Sequence, residues 1–107
     1  MHNETAIHPG LKLRHIRCFL DIAAAGNLSA VARAQGITQP ALSRTLAETE
    51  ALLGVNLFRR ENRRLTLTEQ GVLFRQHASL AMQALQSGAA ALHPHATTGR
   101  LNVGVLP

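Results

Sequence analysis

Residues 28–46, LSAVARAQGITQPALSRTL, constrain the fold more than any other stretch of the chain. Two short helical patterns stand on either side of Gly36. Ser29 is suited to cap a helix over residues 30–35. Gly36 supplies the left-handed backbone that a tight turn needs and that a Cβ resists. Thr38 caps the second helix, and Pro40 falls in its first turn, where a missing N–H costs little. Ala32 is small where the two helices cross. Val31, Ile37, Leu42 and Leu46 are apolar where a shared core is expected, with Ile37 plugging the angle between the helices. A small residue, a glycine four positions later and apolar residues six and ten beyond it form the sequence shape of a helix-turn-helix.

The surface of the second helix bears on what such a unit does. At about 100° per residue, Leu42, Leu46, Thr49 and Leu53 form one stripe that should face the core. Pro40, Ser43, Arg44 and Ala47 fall on the other side, with Gln39 at the tip. Glutamine, serine and arginine suit base edges and phosphates, and the small residues permit close approach. The same residues also suit an ordinary solvated helix face, so the flanking segments must decide.

Residues 55–68 change character. Leu57 and Phe58 begin a short strand, residues 60–63 (Arg-Glu-Asn-Arg) make a turn with Asn62 in a left-handed conformation, and Leu65, Thr66 and Leu67 return as a strand. A two-stranded hairpin after a helix-turn-helix is a wing. Arg59, Arg60, Arg63 and Arg64 crowd into it, which suits phosphates and a narrow minor groove.

Before the central pair, residues 1–10 read as a loose polar tail and residues 11–25 as a helix. Leu13, Ile16, Phe19, Leu20 and Ala23 form its core stripe, and Gly26 stops it. Lys12, Arg14 and Arg17 point elsewhere, within reach of a phosphate backbone, and His15 is expected at the surface or boundary. After the wing, Thr68 caps a helix running to residue 92, about 24 residues or roughly 36 Å. Phe74, Ala78, Ala81, Leu85 and Leu92 recur along it at spacings built from threes and fours. Leu73, Leu80, Ala84 and Ala91 form an adjacent row. So small a domain cannot cover so long an apolar helix, which predicts a second copy of the chain packed along those residues. His93-Pro94-His95 then breaks the helix, and residues 100–106 alternate like a strand that has no partner here, as if at the start of another domain. The divisions expected are a tail (1–10), a winged helix-turn-helix (11–67), a linker or dimerisation helix (68–92) and a hinge with a first strand (93–107).

The 107 residues carry a formal net charge of +5, which favours an anionic partner. Tryptophan and tyrosine are absent, so aromatic platforms for single-stranded nucleic acid are not expected. The one cysteine, Cys18, lies in an apolar pattern and reads as core. No apolar run is long enough to span a bilayer, and the N-terminus lacks a signal-peptide layout, so a cytoplasmic protein is expected. The six histidines lack metal-ligand spacing; neither a metal, a cofactor nor catalysis is expected. The long helix, with Arg75 as its only basic side chain, is a poor membrane binder. One rival to duplex binding stays open: a helical dimerisation module whose basic hairpin meets an acidic protein.

Taken together, Ala32, the run Gln39-Pro40-Ala41-Leu42-Ser43, Glu50, Leu53-Gly54, Leu57-Phe58, Arg60, Arg63 and Leu67-Thr68 with Gly71 resemble the N-terminal DNA-binding region of LysR-type transcriptional regulators. The resemblance covers residues 11–92. It implies a mainly α fold: a winged helix-turn-helix with a two-stranded β wing and a long C-terminal linker helix. It further implies a bacterial factor that binds an interrupted palindrome in double-stranded DNA as a homodimer, with tetramers in full-length proteins. A small co-inducer is held by a C-terminal effector domain that this chain lacks. The residues expected at DNA are Ser29, Thr38, Gln39, Pro40, Ser43, Arg44, Arg60, Arg63 and Arg64. Gln35 and Thr49 stand where the family has leucine and are expected to soften the core; Thr38 stands for the usual serine cap. The opening LKLRHIRCF is further similar to regulators of the protocatechuate (pca) aromatic-degradation operon.

Overall fold

The computed structural model describes residues 7–62 and 64–93. The elements run α1 (Leu13–Ala25), α2 (Leu28–Gln35), α3 (Gln39–Leu53), β1 (Phe58–Glu61), β2 (Arg64–Leu67) and α4 (Glu69–Ala91). The chain divides into two compact units, Met1–Gln76 and His77–Pro107. The strand expected at residues 100–106 lies outside the described residues.

Four turns carry the first unit's architecture, and each rests on a residue that tolerates positive φ. Gly26, Gly36 and Gly54 end α1, α2 and α3 in the left-handed region, where a side chain would be strained. Asn62 does the same for the wing at φ 52°. The cap of α2 differs from expectation. Asn27, not Ser29, takes the extended backbone, and its Oδ1 accepts the Ala30 N–H at 3.0 Å. Ser29 lies inside the first turn, so the helix starts two residues earlier than the serine suggests. Thr38 caps α3 as expected, its Oγ1 accepting the Ala41 N–H at 3.2 Å, with Pro40 in the first turn.

The core gathers Cys18, Phe19, Ile22, Leu28, Val31, Ala32, Leu42, Leu46, Leu57 and Phe58. Phe19 is its centre: its ring lies 5.5 Å from Phe58 and 5.3 Å from Phe74, both tilted, an arrangement that adds to burial. The α3 stripe is as expected, with Leu42, Leu46 and Thr49 buried. Thr49 does not leave its hydroxyl stranded, since Oγ1 donates to the Thr45 carbonyl at 2.8 Å. Four positions differ. Leu13, expected in the α1 stripe, is 50% exposed, because the buried side of α1 runs instead through His15, Cys18, Phe19 and Ile22. Ile37 is 41% exposed and does not fill the angle between the helices. Gln35 is outside the core and donates through Nε2 to Asp21 at 2.9 Å. His15 is 1% exposed, with Nδ1 accepting the Lys12 N–H and Nε2 bonded to Glu48 Oε1 at 3.0 Å.

The wing is an antiparallel pair with Phe58 opposite Leu67 and Arg60 opposite Leu65. Arg60 therefore lies in the strand, not in the turn. Thr68 knots the wing to α4: its hydroxyl donates to the Asn56 carbonyl at 2.6 Å and accepts the Gly71 N–H at 3.0 Å. Gly71 is needed for closeness. A methyl there would run into the Leu57 carbonyl oxygen.

Among the five residues expected to face a second copy, two are already covered. Phe74 packs against the first unit's core, and Ala78 is buried in the single chain. Ala81, Leu85 and Leu92 are exposed. Among the described residues no helix is long and apolar enough to cross a membrane.

Candidate nucleic-acid interface

Two short helices, a left-handed glycine and a polar first turn leave the N-terminus of α3 projecting. Gln39 and Pro40 at its tip and Arg44 one turn on are exposed, and Ser43 is half-buried. The core stripe fixes the rotation of the helix, so Arg44 is held outward by the burial of Leu42 and Leu46 on the far side.

The wing is brought to this tip by one acidic side chain. Glu50 Oε2 accepts the backbone N–H groups of Leu57 and Phe58 at 2.7 and 3.2 Å, fastening the first strand to the end of α3. Helical periodicity puts Glu50 only in the later turns, away from the tip; its role as a latch is visible only in three dimensions. Arg60 Nη2 then reaches Ser43 Oγ at 3.4 Å, a long contact on an exposed surface.

A cleft of about 180 Å³ joins the pieces. It is lined by Asn27, Ser29, Gln39, Arg60 and Arg64, with Gly26, Leu28 and Leu65 completing the wall. The N-terminus of α2, the tip of α3 and both wing strands thus share one concavity. Helix N-termini present free N–H groups and positive dipole ends, and two guanidinium groups stand opposite. Arg44, Arg60 and Arg64 have no ion-pair partner among the described residues. The arrangement is built to receive an extended anion. Of the nine residues expected at DNA, Ser29, Gln39, Arg60 and Arg64 line this cleft. Ser43 adjoins it through Arg60, and Pro40 and Arg44 lie exposed on the same helix. Thr38 acts as a cap, and Arg63 lies outside the described residues. Asn27 is an addition to that set; its signal in the sequence is an asparagine directly after the helix-ending Gly26.

Among the described residues no group of three or more His, Cys, Asp or Glu is placed to hold a metal. Burial, aided by Asp21, pushes the Cys18 thiol up to about 11, so it stays protonated and packs as an apolar group.

These features define a winged helix-turn-helix unit. Residues 13–72 match the family model described as "Bacterial regulatory helix-turn-helix protein, lysR family", and the chain belongs to that family. It is 33% identical over 109 residues to an uncharacterized HTH-type transcriptional regulator, YdcI, of Escherichia coli strain K12, covering 100% of this chain and 36% of YdcI. It is 31% identical over 99 residues to the HTH-type transcriptional regulator PcaQ of Agrobacterium fabrum, covering 91% of this chain and 32% of PcaQ. The chain therefore spans about a third of the length of these relatives. The solved structure of a BenM_DBD/catB site 1 DNA complex superposes with a TM-score of 0.74 at 28% identity, covering 81% of this chain and 98% of that one.

Proposed function

We propose that this chain binds double-stranded DNA sequence-selectively, as the DNA-binding part of a LysR-type transcriptional regulator acting in the cytoplasm. The observation that carries the reading is the shared cleft, where Ser29 and Gln39 from two helix starts meet Arg60 and Arg64 of the wing. Helix α3 enters the major groove. Gln39, Ser43 and Arg44 reach base edges or adjacent phosphates, and Pro40 lies against a thymine methyl. The capped starts of α2 and α3, with Ser29 and Thr38, present N–H groups to the backbone. Arg60 and Arg64 grip flanking phosphates, and Arg63 joins them on the strength of its place in the sequence. The DNA complex of the similar BenM_DBD supports this choice of partner. The work is binding, not catalysis.

The exposed apolar residues of α4 beyond His77, among them Leu80, Ala81, Leu85 and Leu92, form the dimer seam, and the dimer sets half-site spacing. In a full-length regulator an effector domain answers to a small co-inducer, and the full-length protein assembles as a tetramer. Its target genes serve aromatic-compound breakdown, a reading supported by the likeness of residues 11–19 to pca-operon regulators and by the match to PcaQ.

Selection of bound sequences from a random duplex pool tests the reading. Enrichment of two inverted half-sites is expected, and no enrichment over input overturns it. On the selected site, Arg44→Ala should cost roughly 1–3 kcal/mol and relax preference at one base position, read by competition titration.

A further inference from the structure

A second slot lies beside α3, on the side away from the wing. It holds about 390 Å³ and is lined by Arg14, Arg17, Cys18 and Asp21 of α1, by Gln35 and Ile37 at the turn, and by Leu42 and Thr45 of α3. The rotation of α3 fixes its relation to the wing. Ser43, Arg44 and Thr45 follow one another at about 100°. Ser43 meets the wing through Arg60, Thr45 lines the α1 slot, and Arg44 projects between them. The outward face of α3 is thus bordered by guanidinium groups on both flanks.

The slot combines an apolar floor with a cationic rim. Ile37, an apolar residue at the tight turn, stays 41% exposed, and Cys18 and Leu42 form an apolar floor. Arg14 and Arg17 stand above it, with no carboxylate at ion-pair distance among the described residues. Two acids lie near. Asp21 lines the slot and is engaged by Gln35, and Glu48, on the same flank of α3, is hydrogen-bonded to His15 and close enough to Arg14 to feel its charge, though not paired with it. A strand of sugar and phosphate has the matching make-up: apolar sugar faces and a regular row of anions.

We propose that the α1 slot binds the sugar-phosphate backbone of the second DNA strand, so that Arg14 and Arg17 hold one rail of the major groove while the wing holds the other. The inference rests on α3 occupying that groove. It adds a base-independent contact from α1, which makes no part of the reading tip.

The test uses the 107-residue chain, a 30-base-pair duplex of mixed sequence and the duplex recovered by selection. The Arg14→Ala/Arg17→Ala pair should weaken both duplexes by the same factor and flatten the slope of log K against log salt by about 2, close to one unit for each phosphate no longer neutralised. Arg14→Lys/Arg17→Lys should restore most of that slope. Phosphate-ethylation interference should lose its signal on one strand with the α1 pair and on the opposite strand with Arg60→Ala/Arg64→Ala. An unchanged slope and footprint in the α1 pair, with the wing pair still impaired, overturns the proposal while sparing duplex binding. The same holds if the α1 pair loses only the capture of an acidic protein segment. If the unsubstituted chain binds neither duplex, the underlying reading fails instead.

Discussion

In the first unit Phe19 is shut between Phe58 and Phe74, and the first turns of α4 are held by the Thr68 knot and the close approach of Gly71 to Leu57. From His77 onward the same helix follows another rule. Only Ala78 and Met82 are buried among the described residues there, while Leu80 is 63% and Leu85 54% exposed. The first stretch sends Phe74 onto an aromatic cluster, though Val72 and Leu73 beside it stay exposed, while the second leaves most of its apolar side chains open to solvent. The residues proposed for binding sort the same way: exposed polar groups beside a packed core in the first unit, exposed apolar groups in the second.

The contrast is sharpest under truncation. Phe19→Ala should destabilise the first unit by about 3–5 kcal/mol, through lost burial and the cavity left beside the two remaining aromatic rings. Urea melts should show that loss at every protein concentration. Leu85→Gln should leave the melt of a dilute sample nearly unchanged. It should instead weaken self-association by about 1.5–3 kcal/mol per leucine withdrawn from the seam, read by sedimentation equilibrium. A concentration-independent loss in Leu85→Gln would erase the distinction.

Gly71→Ala probes the boundary between the two regimes. The added methyl must displace the Leu57 carbonyl or lift the start of α4, at about 1–3 kcal/mol. The cost should appear in the unfolding of the first unit and leave the dimer constant of the folded fraction alone. Gly88, with open space around it, is the control. Alanine there should be neutral to mildly stabilising, because glycine is about 1 kcal/mol less favourable within a helix.

Much of the first unit is legible in the sequence because its signals are local. Gly26, Gly36, Gly54 and Asn62 each mark a positive φ, and a 3.6-residue stripe fixes which side of α3 is buried. The exceptions, the cap of α2 apart, need tertiary partners. Asn27 and Ser29 are both competent caps, and the choice depends on which one follows the left-handed Gly26. His15 enters the interior because both ring nitrogens find partners, one across the chain at Glu48, and no local pattern reveals that. Ile37 reads as core by hydropathy, yet α1 does not reach over the turn to cover it. Glu50 looks like any acid in a helix until its two amide partners are seen. In α4 the apolar spacing locates the helix, but separating Phe74 from Leu85 requires knowing where Phe19 lies.

The smallest effect expected concerns the link between α1 and α3. His15 Nδ1 accepts the Lys12 N–H, and Nε2 is hydrogen-bonded to Glu48 Oε1. That hydrogen bond, opposed by partial desolvation and assisted by the charges of His15 and Arg14, holds the Glu48 carboxyl below its ordinary value. A carboxylate depressed in the folded state stabilises the fold above its unfolded pKa, and the contribution is lost as pH falls through the lower, folded value. Stability measured by urea midpoint should therefore fall on the acid side of the ordinary glutamate range in the unsubstituted chain. In Glu48→Gln that part of the fall should be missing, with the two curves converging once Glu48 is protonated. Because the carboxylate is open to solvent, the gap at neutral pH should be small. A Glu48→Gln chain whose acid limb matches the parent's would mean that the tie between α1 and α3 rests on packing rather than on this charge.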